Sequence, residues 1–122
     1  MTDHDHHGAV LNELNPQHRA LREMIPDVYK GFGELSRAAL AAGALDSKTK
    51  ELIALAVGVA ARCDGCIGFH TKALVKLGAS TAEVNEALGV AIYMGGGPSA
   101  MYAANAVAAF NEFSTAAEKP AP

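Results

Sequence analysis

Apolar residues recur at helical spacing along most of this chain. Between residues 26 and 42 they lie three or four positions apart, as one face of a helix requires: Val28, Phe32, Leu35, Ala39 and Leu40. A second face of the same kind follows in residues 47–61, with Leu52, Leu55, Ala56 and Val59. Ala and Leu favour helices, and few positions are β-branched. The pattern therefore predicts an all-α protein.

Helix start and stop signals divide the pattern into about five to six helices. Gly43 and Gly78 are suited to end helices, because glycine adopts left-handed backbone geometry without strain. Asp46 or Ser47 is suited to cap the next helix, and Ser80 with Glu83 forms a capping box. The predicted helices cover residues 16–24, 26–42, 46–61, a stretch from the cysteines to 77, 80–94 and 97–113.

Polar, Pro-containing ends flank these helices. We expect residues 1–15 to form a flexible N-terminal tail, residues 16–113 to form one compact helical domain, and residues 114–122 to form a flexible C-terminal tail. His4, His6 and His7 could bind a metal ion, but a solvated tail is the simpler interpretation. A chain of 122 residues has room for one such domain.

Composition excludes several classes of partner. The net charge is -3, which gives no electrostatic reason to bind nucleic acid or an anionic membrane. An uncharged window spans residues 87–110, but Gly95-Gly96-Gly97-Pro98 divides it, so two helices around a turn explain it better than a membrane span. The polar N-terminus does not resemble a secretory signal. We therefore expect a cytoplasmic protein, in which a structural disulfide would be unusual.

Candidate chemistry lies at Cys63, Cys66 and His70. The two cysteines are three positions apart, close enough for a disulfide at the start of a helix. His70 lies one turn after Cys66 on the same face, where its imidazole can accept the thiol proton, and a helix N-terminus further favours the thiolate. A thiolate can attack a peroxide, and a neighbouring thiol then forms a disulfide with the product. The alternative is a pair of buried, inert thiols.

Together with Glu51, these residues resemble the AhpD-like alkylhydroperoxidase family within the carboxymuconolactone decarboxylase superfamily. The shared pattern is a Glu, eleven residues, and Cys-x-x-Cys-x-x-x-His, here Glu51, Cys63, Cys66 and His70. Residues 72–80, Lys-Ala-Leu-Val-Lys-Leu-Gly-Ala-Ser, also resemble the family's helix and its end. The resemblance covers roughly residues 26–113.

The resemblance implies a compact all-helical fold and a set of catalytic roles. Peroxide would be reduced with Cys66 as the attacking thiol and Cys63 as the resolving thiol, while His70 and Glu51 form a proton relay. The resemblance also implies a homo-oligomer, a trimer or a hexamer, and a dithiol reductant such as a lipoylated or thioredoxin-like protein. We expect neither a bound cofactor nor a metal. Some peroxidase members carry a second histidine between the cysteines, where this chain has Gly65.

Two other functions stay open at this point. A decarboxylase or lactone-processing lyase would use acid-base chemistry and would not need the cysteine pair. A metal-binding or structural module would use Cys63, Cys66 and His70 as ligands, with Glu51 or a tail histidine as the fourth.

The remaining large apolar side chains are interpreted as packing residues. They could line a substrate pocket, but core or subunit-interface packing is favoured: Phe69, Tyr93, Met94, Met101 and Tyr102. Small residues along the helices allow close approach, and nearly uncharged helix faces could be buried against copies of the same chain.

Overall fold

The computed structural model describes residues 6–118, and in this part of the chain it contains six α-helices and no strand. The all-α prediction is therefore confirmed. The helices are α1 (His6–Met24), α2 (Pro26–Leu40), α3 (Ser47–Ala60), α4 (Asp64–Lys76), α5 (Thr81–Gly95) and α6 (Gly97–Glu118).

Helices α3 to α6 pack around one apolar core. Each contributes side chains one helical turn apart, so that a continuous stripe of the helix faces inward. Removing a large side chain such as Leu55 or Leu74 from such a core costs about 2–5 kcal/mol. The fully buried core residues are Leu55, Val59, Ile67, Leu74, Ala106 and Ala109.

Local capping follows the predicted signals. Asp46 caps α3, with its carboxylate accepting from the backbone N–H of Thr49 at 2.7 Å. Hydrogen bonds from the side chain and the backbone of Thr49 hold the pKa of Asp46 below its ordinary value. The capping box of Ser80 and Glu83 is complete, since each side chain accepts from the other residue's backbone N–H. These caps fix where α3 and α5 begin.

Helix α1 begins earlier than the sequence pattern predicted. It starts at His6 rather than Pro16 and continues through Pro16, so most of the predicted N-terminal tail is helical. The carboxylate of Glu112 on α6 accepts from the first-turn N–H groups of His7 and Gly8, at 3.0 and 2.6 Å. Leu11 is buried beneath the helix. A distant residue therefore supplies the cap that the local sequence lacks.

Helix α6 also extends further than predicted, to Glu118 instead of Phe113. Of the proposed tail features, His4 and the final residues 119–122 lie outside the described residues. No helix in residues 6–118 is both long enough and apolar enough to cross a bilayer, and the uncharged window 87–110 is divided between α5 and α6.

Helix α2 contributes no buried residue, although it is strongly amphipathic. Its apolar side chains Val28, Phe32 and Leu35 are 63%, 66% and 62% exposed. Other large apolar side chains are exposed on α5 and α6: Val90, Tyr93, Met94 and Met101. None of these side chains is part of the apolar core of the described chain.

Candidate active site

The candidate site is built at the start of α4. Cys63 is the N-cap residue, with extended backbone geometry, and its Sγ accepts from the backbone N–H of Cys66 at 3.1 Å. Cys66 therefore lies in the first turn of the helix, where the partial positive charge of the unpaired N–H groups favours an anionic sulfur. This geometry places both sulfurs at the end of α4 that stabilises a thiolate best.

Cys63 and Cys66 form a disulfide, with their Cα atoms 5.2 Å apart. The chain contains these two cysteines and no others. Both residues are partly buried rather than enclosed in the core. The spacing of three positions thus brings the sulfurs within bonding distance, as the sequence predicted.

His70 and Glu51 form a hydrogen-bonded pair beside this disulfide. Nδ1 of His70 lies 2.6 Å from Oε2 of Glu51. An ionised carboxylate can only accept, so Nδ1 carries the hydrogen and, in the neutral ring, Nε2 keeps its lone pair. Glu51 is 8% exposed and His70 is partly exposed, so the carboxylate side of this contact is shielded from solvent. The ring therefore has a fixed orientation and one nitrogen able to take a proton.

A tight turn between α3 and α4 brings Glu51 back to His70. Arg62 has a φ of 59°, and its N–H donates to the carbonyl of Val59 while that of Cys63 donates to Gly58. These two hydrogen bonds define a Schellman motif, which ends α3 and reverses the chain. The chain therefore returns along α3, so that Glu51 and His70, nineteen positions apart in sequence, belong to one site.

Gly58 allows α3 to approach Cys66 closely. A Cβ at position 58 would lie 3.0 Å from the Cβ of Cys66, tighter than ordinary van der Waals contact. Sequence reasoning missed this residue as part of the site. Gly58 lies five residues before Cys63, but glycines on helix faces are common. The sequence pattern therefore gave no sign that Gly58 packs against Cys66.

Helix α1 covers the other side of the cysteine motif. A Cβ at Gly65 would lie 2.9 Å from Cδ1 of Leu14, and one at Gly68 would lie 2.9 Å from Cδ2 of Leu11. The position between the cysteines is thus filled by Leu14 of α1. This packing gives a physical reason for a glycine at position 65, between the two cysteines.

Electrostatics at the α1 end of the site centre on His7. Burial lowers the pKa of His7, and the neighbouring His6 acts in the same direction, whereas Glu112 and Asp64 oppose the shift. Asp64 belongs to the first turn of α4, between the two cysteines. The charge state of His7 is therefore coupled to the contact between α1 and the motif.

No set of three or more His, Cys, Asp or Glu side chains within residues 6–118 is arranged to hold a metal ion. The two sulfurs proposed as ligands in the metal-binding alternative are bonded to each other.

Comparison with known families matches residues 26–109 to the carboxymuconolactone decarboxylase family. An uncharacterized protein of Cupriavidus necator is 41% identical over 101 residues, which span 83% of this chain and 89% of the relative. An uncharacterized protein encoded in the cox locus of Paracoccus denitrificans is 40% identical over 81 residues, which span 66% of this chain and 73% of the relative.

Solved structures show the same architecture. A carboxymuconolactone decarboxylase family protein from Legionella pneumophila superposes with a TM-score of 0.88 at 52% identity, covering 90% of this chain and 98% of that one. A family protein from Thermotoga maritima, for which a role in an antioxidative response has been suggested, gives a TM-score of 0.69 at 37% identity, covering 74% and 93%. The matched region contains the cysteine pair, His70 and Glu51.

Proposed function

This chain belongs to the carboxymuconolactone decarboxylase family, and we propose that it is a thiol-dependent peroxidase that reduces hydroperoxides through Cys63 and Cys66. The observation that carries the proposal is the disulfide at the N-terminus of α4 with the Glu51–His70 pair one turn further along. A joined pair of sulfurs and an oriented base are what a two-thiol peroxidase requires. The antioxidative role suggested for the Thermotoga maritima protein agrees with this chemistry.

In the proposed cycle, the thiolate of Cys66 attacks one oxygen of the hydroperoxide and breaks the O–O bond. The departing alkoxide takes a proton and leaves as an alcohol, while Cys66 becomes a sulfenic acid. The thiol of Cys63 then attacks the Cys66 sulfur and releases water, which forms the Cys63–Cys66 disulfide. A dithiol reductant reopens that disulfide by exchange and is itself oxidised to a disulfide.

His70 is the proposed base that removes the proton from Cys66 and the proposed acid that protonates the leaving oxygen. It lies four positions after Cys66, so the two side chains share a face of α4. Glu51 is the proposed partner that orients the ring and stabilises its charged form, by the same logic as the carboxylate of a catalytic triad. Cys66 rather than Cys63 is assigned the attack because of this spacing.

We also propose that copies of the chain assemble through their apolar helix faces, as a trimer or a hexamer. The exposed apolar side chains of α2 support this assembly, because this helix contacts α1 and α3 but its strong apolar face stays uncovered in the single chain. A protein dithiol, lipoylated or thioredoxin-like, is the proposed reductant, and the reducing cytoplasm is the proposed compartment.

The proposal is tested by peroxide consumption with excess dithiol in the wild type, Cys66→Ser and Cys63→Ser. We expect Cys66→Ser to lose turnover. Once the protein has been reduced and the dithiol removed, Cys63→Ser should react once with peroxide and accumulate the sulfenic acid, which a dimedone adduct detects by mass spectrometry. Full turnover in Cys66→Ser would overturn the assignment, and a lyase activity that survives loss of both cysteines would favour the acid-base alternative.

A further inference from the structure

Arg62 has a backbone conformation that side chains rarely adopt. Its φ of 59° lies in the left-handed region, and it is the non-glycine residue with positive φ in the described chain. The Cβ of an L-residue crowds the carbonyl in this region, which is why glycine normally occupies this position at the end of a helix.

The end of α4 provides an internal comparison. There Gly78 has a φ of 75°, its N–H donates to Val75, and the N–H of Ala79 donates to Leu74. The hydrogen bonds at Arg62 and Cys63 follow the same pattern. The chain thus makes the same turn twice, once with the unstrained residue and once with an arginine, so the turn itself does not require the arginine.

Arg62 carries a permanent positive charge and is the residue immediately before Cys63 of the disulfide. It is exposed, and neither ion pair in residues 6–118, Lys48–Glu83 or Glu51–His70, includes it. Strain retained next to reacting atoms is typical of a residue kept for function.

Further positive charge follows on α4. Lys72 and Lys76 are exposed, and their spacing places them on the same side of the helix as Phe69, which is 43% exposed. Residues 62–76 therefore carry three basic side chains and one acidic one, Asp64, within a chain of net charge -3. This segment is basic although the protein as a whole is acidic.

We propose that Arg62 is a specificity-determining residue that makes the Cys63–Cys66 disulfide selective for a dithiol bearing negative charge close to its thiols. The guanidinium binds that anionic group and orients the attacking thiolate toward the disulfide. This inference rests on the proposed function, because it concerns the step that regenerates the two thiols.

The step it governs is a two-stage exchange. A thiolate of the reductant attacks one sulfur, the Cys63–Cys66 bond breaks, and a mixed disulfide forms. The second thiol of the reductant then displaces the protein sulfur, so the reductant leaves as a disulfide and its two hydrogens end on Cys63 and Cys66. Arg62 exchanges no proton or electron.

Two small dithiols that differ by one charge test the proposal. Dihydrolipoate carries a carboxylate and dihydrolipoamide a neutral amide, so the ratio of their rates of disulfide reduction isolates the anionic group. For the wild type at low salt we expect dihydrolipoate to react up to about fivefold faster, the range of an exposed charge pair. The preference should disappear at high salt, because added ions screen exposed charges.

Variants at position 62 separate charge from strain. Arg62→Lys should keep the preference, whereas Arg62→Gln, with similar length and no charge, should lose it. Arg62→Gly should also lose the preference while its melting temperature rises, because glycine relieves the left-handed geometry. If the arginine had only a structural role, replacing it would not remove the preference for the anionic dithiol while raising the melting temperature.

Peptides containing dihydrolipoyl-lysine flanked by Glu or by Gln distinguish a small anionic reductant from an acidic carrier protein. A preference for dihydrolipoate alone indicates a small anionic reductant, and a preference for the Glu peptide indicates an acidic carrier protein. Either result supports selectivity for an anionic dithiol. The inference would be overturned if the wild-type disulfide were reduced equally fast by dihydrolipoate and dihydrolipoamide, and equally fast by the Glu and the Gln peptide. If neither dihydrolipoate nor dihydrolipoamide opens the disulfide, the proposed function itself fails.

Discussion

At the residue scale, the site depends on a few contacts that leave little room for substitution. The Glu51–His70 hydrogen bond fixes the imidazole, and Gly58 lets α3 approach the Cβ of Cys66. Gly65 lies between the two cysteines, with Leu14 packed where its side chain would be. Each of these residues acts through shape or orientation, so their effects should be separable from those of the sulfurs.

We expect Gly65→His to destabilise the protein by about 1 kcal/mol, the low end of the range for overpacking, because the atom in the way is a terminal methyl of the partly buried Leu14. The imidazole would collide with Leu14, so adding Leu14→Ala should recover part of the loss. Urea denaturation of both single variants and the double variant measures this coupling. Gly33→Ala is the matched control, because it lies on the side of α2 away from Phe32 and a Cβ there meets only Nη1 of Arg37, at 3.6 Å. Additive effects in the Gly65 and Leu14 series would contradict the proposed contact.

The sequence predicted this residue-level chemistry unevenly. The proximity of Cys63 and Cys66 follows from their spacing, and the shared face of Cys66 and His70 follows from helical periodicity. Glu51 was identified through the family pattern, since a carboxylate twelve residues away on another helix gives no local signal. The contact with His70 is now explained by the turn at Arg62. Its catalytic role stays a prediction.

At the element scale, helix α1 shows how a distant residue can define a helix end. Its first turn has no acidic residue of its own and is capped by Glu112, more than a hundred positions later. No window of local sequence contains that information, which is why the predicted start at Pro16 was wrong. By contrast, the starts of α3 and α5 were predictable because their caps lie within three residues.

The docking of α1 should depend on pH through His7. Burial lowers the pKa of His7 from its ordinary value of 6.5. Just below pH 6.5, His7 is therefore protonated in the unfolded chain but still largely neutral in the folded chain. Stability contributed by neutral His7 is therefore present above about pH 6.5 and falls as the pH decreases through that region. Melting temperatures between about pH 7.5 and 5.5 should decrease more in the wild type than in His7→Gln. Parallel pH profiles of the two proteins would refute this coupling.

At the scale of the whole molecule, the fold class and the family were predictable because two independent signals agreed. Helical periodicity gave the all-α class, and the Glu-Cys-Cys-His pattern gave the carboxymuconolactone decarboxylase relationship; both are confirmed. The exposure of the apolar face of α2 was not predictable, because periodicity identifies an apolar face without identifying what covers it. In one chain the face of Val28, Phe32 and Leu35 stays exposed.

Assembly through that face predicts a specific effect of charge. Phe32→Glu should shift the protein from a trimer or hexamer toward the monomer, measured by sedimentation velocity, because a buried carboxylate would disrupt an apolar interface. Phe32 is exposed in the single chain, so the monomer should stay folded by circular dichroism. Lys30→Glu, a charge reversal on the same helix, is the control. An unchanged mass for Phe32→Glu would place any interface elsewhere.

The account as a whole depends on His70 drawing the proton from Cys66. The most direct measurement is the rate of Cys66 alkylation by iodoacetamide as a function of pH, in reduced Cys63→Ser protein with His70 present or replaced by Ala. With His70 present, the alkylation rate should reach half its maximum at a lower pH, and Glu51→Gln should give an intermediate profile. Identical profiles with and without His70 would contradict the activated thiol.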